Sequence, residues 1–144
     1  REYAKAKLKN IDFEFLGGMQ NQQVYDYYKS NKVDVFVNVS YSEGLPVSLM
    51  EASSFGIPVI ATDVGGSAEI IDKEQKNGFL LGKDFEIGAL REKIELLLNE
   101  SEETYRKRRI AARKLWEKKY NAEKNYTDFA KKIYELTNDF KAEL

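Results

Sequence analysis

Residues 33–69 read VDVFVNVSYSEGLPVSLMEASSFGIPVIATDVGGSAE. The run Val33–Val39 is short, β-branched and apolar nearly throughout, the composition of a parallel strand covered on both faces. Val59-Ile60-Ala61-Thr62 is a second such run. Between them the pattern predicts a helix that starts at Pro46, a residue suited to the first helical position. It runs to about Phe55 and ends at Gly56, a natural C-cap. Strand, helix and strand in so short a span make a right-handed βαβ crossover.

The same alternation continues outward. Upstream, Glu2 to Leu8 reads as a helix. Ile11, Phe13 and Phe15 alternate with Asp12 and Glu14, the period of a strand with one wetter face, and Gly17-Gly18 stop it. From about Gln20 to Asn31, Val24, Tyr27 and Tyr28 form a helical stripe. Downstream, Gly65-Gly66 open a short helix through Ile71, and Gly78–Leu81 is a weak fourth strand. The rest is helical. Ile87, Leu90, Ile94, Leu97 and Leu98 make one amphipathic stripe, and Tyr126, Phe129, Ile133, Leu136 and Phe140 make another, read as core. The segment from about Ser101 to Tyr120 lies between them. The expected fold is α/β: a Rossmann-like, three-layer parallel sheet with C-terminal helices, one domain over residues 1–144. A doubly wound half-domain usually has more strands, and the first residue is Arg1. The expectation is therefore a domain truncated at its N-terminus.

Composition removes several functions. The chain has no cysteine and no histidine, which excludes disulfides, thiolate nucleophiles, Ser-His-Asp triads and histidine metal sites. Acid and base work would fall on carboxylates, lysine or tyrosine. Net charge is -1, so no global field draws the chain to nucleic acid or anionic lipid. No segment approaches the roughly 20 apolar residues of a membrane span, and no signal peptide is present. None of the 9 glycines builds a G-x-G-x-x-G fingerprint. The run Arg106-Lys107-Arg108-Arg109 with Arg113-Lys114 follows five acidic residues from Glu92 to Glu103 and has no row of aromatics beside it. It reads as a solvated helix face rather than a nucleic-acid or membrane surface.

The chemistry concentrates in residues 40–51. This loop leaves the C-terminal end of a parallel strand and enters a helix N-terminus, the place where open α/β sheets bind ligands. Free N–H groups and the helix dipole there favour a phosphate. Gly44 allows close backbone approach. Glu43 stands on the loop and Glu51 over a turn into the helix, so the two carboxylates can meet different parts of one extended ligand. An ionised carboxylate only accepts and has two oxygens, which suits a cis-diol. Each such bond is worth roughly 1.5–3 kcal/mol. Without flanking context the two would read as solvated carboxylates. Ser40 and Ser42 either line the pocket or cap.

The context is present. Glu43, Gly44, Pro46, Glu51, Ala52, Gly56, Pro58, Val59, Ile60, Ala61, Thr62, Gly65, Gly66 and Glu69 fall in the order of a known signature. Asn77-Gly78-Phe79-Leu80-Leu81 continues it, and Phe15-Leu16-Gly17 and Val33–Val37 fit upstream of it. The chain thereby resembles the C-terminal domain of retaining GT-B glycosyltransferases of family four, whose E-x7-E motif maps onto Glu43 and Glu51. The likeness is close over Ile11–Leu81 and loose beyond.

The resemblance implies a domain that binds a UDP- or GDP-type nucleotide sugar. The parent would be a retaining hexosyltransferase of polysaccharide biosynthesis, needing no metal or cofactor. Glu51 would bind the ribose hydroxyls. Glu43, the candidate catalytic residue, would contact the transferred sugar. Gly44, Leu45, Pro46 and Val47 would hold sugar and diphosphate by backbone groups. Gly56, Pro58, Gly65, Gly66 and Glu69 would be structural. The acceptor, a carbohydrate or lipid-linked glycan, would be held by an N-terminal domain that these residues do not include. The family's diphosphate-clamping Arg and Lys have no match here, so the chain alone is expected to be inactive. The implied workplace is the cytoplasm, at the inner face of the membrane through peripheral association, with no nucleic-acid partner. The alternatives are a non-catalytic nucleotide-sugar-binding or regulatory module, and a GT-B-fold sugar-nucleotide epimerase.

Overall fold

A computed structural model describes residues 2–72, 74 and 76–142. In chain order the elements are α1 (Glu2–Lys7), α2 (Asn21–Ser30), β1 (Phe36–Asn38), α3 (Val47–Ser54), β2 (Val59–Thr62), α4 (Ser67–Ile70), β3 (Gly78–Leu81), α5 (Ile87–Leu98), α6 (Glu102–Lys119) and α7 (Ala122–Ala142). The three strands form one sheet in the order β1-β2-β3, all parallel. Phe36 pairs with Val59 and Asn38 with Ala61, while Thr62 pairs with Leu81. The sheet's C-terminal edge is thereby aligned at Asn38, Thr62 and Leu81.

Alternation along β2 divides the core between two faces. Val59 and Ala61 pack with Leu49 and Ala52 of α3, with Ile57, and with Ile70 and Ile71. Ile60 packs on the other side with Leu81 and with Leu97 of α5, and Val35, Val37, Leu90 and Ile94 close around them. Helices on both faces make the expected three layers. All four residues of β2 are buried, as befits the middle strand.

Local chemistry ends α3 cleanly. Gly56 has φ +66, and the N–H groups of Gly56 and Ile57 donate to the carbonyls of Ser53 and Ala52. This is a Schellman closure, with glycine at the left-handed position. The α6 helix starts where Ser101 Oγ accepts the Thr104 N–H at 3.2 Å, as an N-cap serine should.

Several expectations are corrected. Residues 11–16 form no strand and join no ladder. Phe13 and Phe15 lie on one side of the chain, rings 5.4 Å apart, as i and i+2 residues of an extended segment do. Among the described residues no strand edge pairs with them, and Ile11, Phe13, Phe15 and Leu16 are exposed. Strand periodicity records which way side chains face, not whether a partner exists. β1 is shorter than Val33–Val39, with only Phe36–Asn38 in register with β2. On α5, Leu97 is buried but Ile87 and Leu98 are exposed. On α7, Tyr126, Phe129, Ile133 and Leu136 are exposed rather than core. The Phe140 side chain lies outside the described residues.

The basic run also differs from a solvated face. Arg109 Nη2 donates to the Phe55 carbonyl and Arg113 Nη1 to the Ser54 carbonyl, so two α6 arginines cap the C-terminus of α3. Arg108 and Glu100, at 11% and 14% side-chain exposure, form an ion pair, and the Arg108 guanidinium stacks on Phe79 4.7 Å from the ring centre. Such a planar, weakly hydrated cation suits a half-buried stacked site.

One buried side chain holds the turn before β3. Asn77 is fully buried, donates from Nδ2 to the Ile70 carbonyl at 2.7 Å, and accepts the Asp72 N–H at 2.9 Å. Asn77→Ala would leave both backbone groups unsatisfied, at about 1–3 kcal/mol for each. We expect a loss of about 2–4 kcal/mol in urea unfolding at constant m-value.

Candidate functional site

The loops that leave β1 and β2 meet above the C-terminal edge of the sheet. The Gly66 N–H donates to the Gly44 carbonyl at 2.6 Å. Gly65 has φ +54, and a Cβ there would lie 2.0 Å from the Glu43 carbonyl oxygen and 2.6 Å from that of Gly44. A Cβ on Gly66 would lie 2.7 Å from Leu45 Cδ1. The double glycine therefore does more than turn a strand into a helix. It lets the 63–66 backbone serve as the floor of the 43–45 loop.

Glu43 is held from β1. Asn38 Nδ2 donates to Glu43 Oε1 at 2.9 Å. The Asn38 amide, and secondarily the Ser40 hydroxyl, hold the Glu43 carboxyl below the usual glutamate range. Ser40 Oγ lies 2.6 Å from Asn38 Oδ1 and donates there. With a single proton it serves either Asn38 or Glu43 at any moment. Ser40 is itself tied to β2, because Thr62 Oγ1 donates to the Ser40 carbonyl at 2.5 Å.

Glu51 sits on α3, over a turn in, as its position in sequence suggests. Asn21, the first residue of α2, donates from Nδ2 to Glu51 Oε1 at 2.6 Å. Glu51 and Ser48 border an apolar cavity of about 670 Å³ walled by Val24, Tyr27, Tyr28 and Phe36. Burial first, then the Glu51 carboxylate, push the Tyr28 hydroxyl above its ordinary value. Glu43 thus precedes α3 on its loop and Glu51 stands within the helix, each with an amide donor on one oxygen.

The four remaining expected site residues form the link between the two carboxylates. Gly44 and Leu45 are exposed and lie on the glycine floor. Pro46 is buried and precedes the helix by one residue, which corrects its expected place inside it. Its extended backbone (φ -71, ψ 105) turns the chain, and its carbonyl accepts from Leu49. Val47 is the exposed first residue of α3. No side chain caps this helix start, so the N–H groups of Val47 and Ser48 keep their capacity for an anionic ligand, while that of Leu49 is taken by Pro46. Glu69 is structural through its carbonyl, which accepts from Tyr120 Oη at 2.8 Å and Lys119 Nζ at 3.3 Å.

Asn38 and Asn21 escape a reading of the sequence. For Asn38 a signal exists, a lone amide in the apolar run VFVNV. For Asn21 there is none, since its bond reaches across 30 residues.

The sequence profile described as "Glycosyl transferases group 1" matches residues 1–115. The chain is 35% identical over 102 residues to the O-antigen biosynthesis glycosyltransferase WbnH of Escherichia coli, covering 70% of this chain and 27% of that protein. It is 36% identical over 104 residues to a Campylobacter jejuni enzyme. That enzyme is the GalNAc-alpha-(1->4)-GalNAc-alpha-(1->3)-diNAcBac-PP-undecaprenol alpha-1,4-N-acetyl-D-galactosaminyltransferase, and the match covers 72% of this chain and 27% of that protein. The chain therefore spans about a quarter of the length of these relatives. Among solved structures, sucrose-phosphate synthase of Thermosynechococcus elongatus superposes with a TM-score of 0.72 at 25% identity, over 88% of this chain and 30% of that one. The C-terminal domain of a group 1 glycosyl transferase of Francisella tularensis gives 0.64 at 24% identity, over 84% and 60% respectively, a likeness of fold.

Two expectations follow from the geometry. Gly65→Ala has to displace the Glu43–Leu45 backbone. We expect amide shift changes concentrated at residues 43–45 and a destabilisation of about 1–3 kcal/mol from left-handed strain and overlap. The Asn38–Glu43 bond has a definite pH sign. Because Glu43 is held low in the folded state, its contribution is intact above the ordinary glutamate range and is lost as pH falls through the folded value. Thermal unfolding of Glu43→Gln should consequently show a weaker acid dependence than the parent chain.

Proposed function

The chain belongs to the group 1 glycosyl transferases, and from that premise we propose that residues 1–144 form the donor-binding domain of a retaining transferase that uses a nucleotide sugar. The carrying observation is the placement of Glu43 and Glu51. Glu43 stands on the loop that enters α3 from the C-terminal edge of a parallel sheet and Glu51 stands on α3 itself, each held by an amide donor, with no side chain capping the helix start between them.

In this reading the donor lies along residues 43–51. Glu51, anchored by Asn21 on one oxygen, accepts the ribose hydroxyls. The backbone of Gly44 to Val47 and the α3 N–H groups face the diphosphate, where the helix dipole favours negative charge. Glu43 accepts hydroxyls of the transferred sugar. It is assigned no covalent role. In transfer, the bond from the anomeric carbon to the diphosphate oxygen breaks and a glycosidic bond forms to an acceptor hydroxyl. The proton of that hydroxyl passes to the departing diphosphate oxygen, and the nucleoside diphosphate leaves. The reading requires no metal.

By name, one relative above serves O-antigen biosynthesis and the other transfers N-acetylgalactosamine to a glycan on PP-undecaprenol. A carbohydrate or lipid-linked acceptor is proposed for this protein on that basis. Work at the cytoplasmic face of the membrane, where such lipid-linked acceptors would be met, is part of the same proposal. Acceptor recognition falls outside residues 1–144, so the proposal includes no turnover by these residues alone. Among the described residues, no helix is long and apolar enough to cross a membrane.

The test is a ligand-observed NMR titration with UDP, GDP, ADP and their sugars, run on the chain and on Glu51→Ala. Without the family's basic diphosphate clamp we expect dissociation constants on the order of 1 mM for one nucleotide series. The expected loss in Glu51→Ala is roughly tenfold or more, the worth of charge-assisted bonds to a diol. Equal affinity in the two proteins would sink the assignment of Glu51.

A further inference from the structure

The end of β1 carries a chain of polar contacts that the donor-binding reading does not use. The fully apolar neighbours of Asn38 are Val35, Phe36, Val37 and Val39. Asn38 itself is only half-exposed. Its amide is engaged at both ends, with Nδ2 on Glu43 Oε1 at 2.9 Å and Oδ1 under Ser40 Oγ at 2.6 Å. The Ser40 backbone is in turn held by the hydroxyl of Thr62, which is 2% exposed in the middle strand. Three successive links thus connect the rigid centre of the sheet to one carboxylate oxygen.

We propose that Asn38, oriented by Ser40, is a positioning residue that aims the Glu43 carboxylate at the transferred sugar. The functional half of this proposal rests on the reading of Glu43 as the sugar contact. The geometric half rests on the hydrogen bonds alone.

The residue type follows from donor and acceptor bookkeeping. A carboxylate only accepts, so the side of the amide facing Glu43 must be the NH₂ group. The other side is then a carbonyl oxygen, which requires a donor, and Ser40 supplies one. Aspartate has the same shape but would set two carboxylates face to face. Alanine removes the donor. Ser40→Ala leaves the amide in place but removes the bond that prevents it from rotating. The effect on Glu43 should therefore be graded: largest for Asn38→Asp, intermediate for Asn38→Ala, smallest for Ser40→Ala. Charged groups on the flanking loops are Asp63 after β2 and Lys83 with Asp84 after β3. They are common to all variants, so their field cancels in the comparison.

The experiment uses the 144-residue chain and these three variants. Carboxyl ¹³C NMR follows the titration of Glu43 and Glu51. A second titration compares a nucleotide sugar with its nucleoside diphosphate. We expect Glu43 to titrate at higher pH in the stated order while Glu51 stays in place, a signature that general loosening of the fold would not give. We also expect Asn38→Ala to weaken the nucleotide sugar roughly threefold to tenfold, the range for one hydrogen bond, with the diphosphate unchanged. If Asn38→Ala does not fold, Ser40→Ala decides by the same shift. A Glu43 titration coincident with that of the parent chain in the folded variants overturns the proposal. So does a displaced Glu43 titration with unaltered sugar affinity. A parent chain that binds no nucleotide sugar removes the proposed function instead, and the carboxyl titration still decides whether Asn38 holds Glu43.

Discussion

Everything at the candidate site depends on a backbone contact between two loops. The Glu43–Leu45 segment lies directly on Gly65-Gly66, with one short N–H to carbonyl bond between Gly66 and Gly44. A Cβ on Gly65 would sit inside the van der Waals radius of two carbonyl oxygens. Loops at the ends of adjacent parallel strands ordinarily diverge and keep their own flexibility. Here the second loop supports the first, and two residues without side chains make that possible. The loop then presents Glu43 on one side and leads through Pro46 into α3, which carries Glu51. The spacing of the two carboxylates is inherited from a backbone contact that neither of them makes.

Much of this was legible in residues 33–69. The β-rich run VIAT and the Pro46 to Gly56 punctuation place β2 and α3 to within a residue, because these are local decisions of sterics and capping. The left-handed Gly56 was readable for the same reason. What escaped was nonlocal. Asn38 to Glu43 spans five residues and Asn21 to Glu51 spans thirty, and no period or dipeptide encodes either. The Ile11–Phe15 segment is the converse case. It has a strand's pattern but joins no ladder, and ladder pairing is a property of the neighbours.

The basic segment on α6 shows how charge counting misleads when burial is unknown. Four consecutive cations suggest a polyanion surface or a solvated face. Arg108 is instead half of a nearly buried ion pair stacked on Phe79, and Arg109 reaches back to the end of α3 together with Arg113. Such an ion pair is weak evidence for stability, since its desolvation offsets much of its attraction. The polar contacts that tie α6 across the end of α3 are those of Arg109 and Arg113.

That crossing bears on the site through the dipole of α3. The helix is only eight residues long, so both of its ends matter electrostatically. At the C-terminal end, the Schellman closure and two guanidinium groups satisfy the last carbonyls and neutralise the negative pole. At the N-terminal end no side chain caps the helix, and a buried proline supplies the turn. Capping one end and leaving the other open leaves the Val47 and Ser48 N–H groups at the positive pole without a side-chain partner. An anion bound there would gain from the dipole. The polar face of α6 compensates the far end of α3, while the near end, entered through Pro46, keeps N–H groups open to an anion.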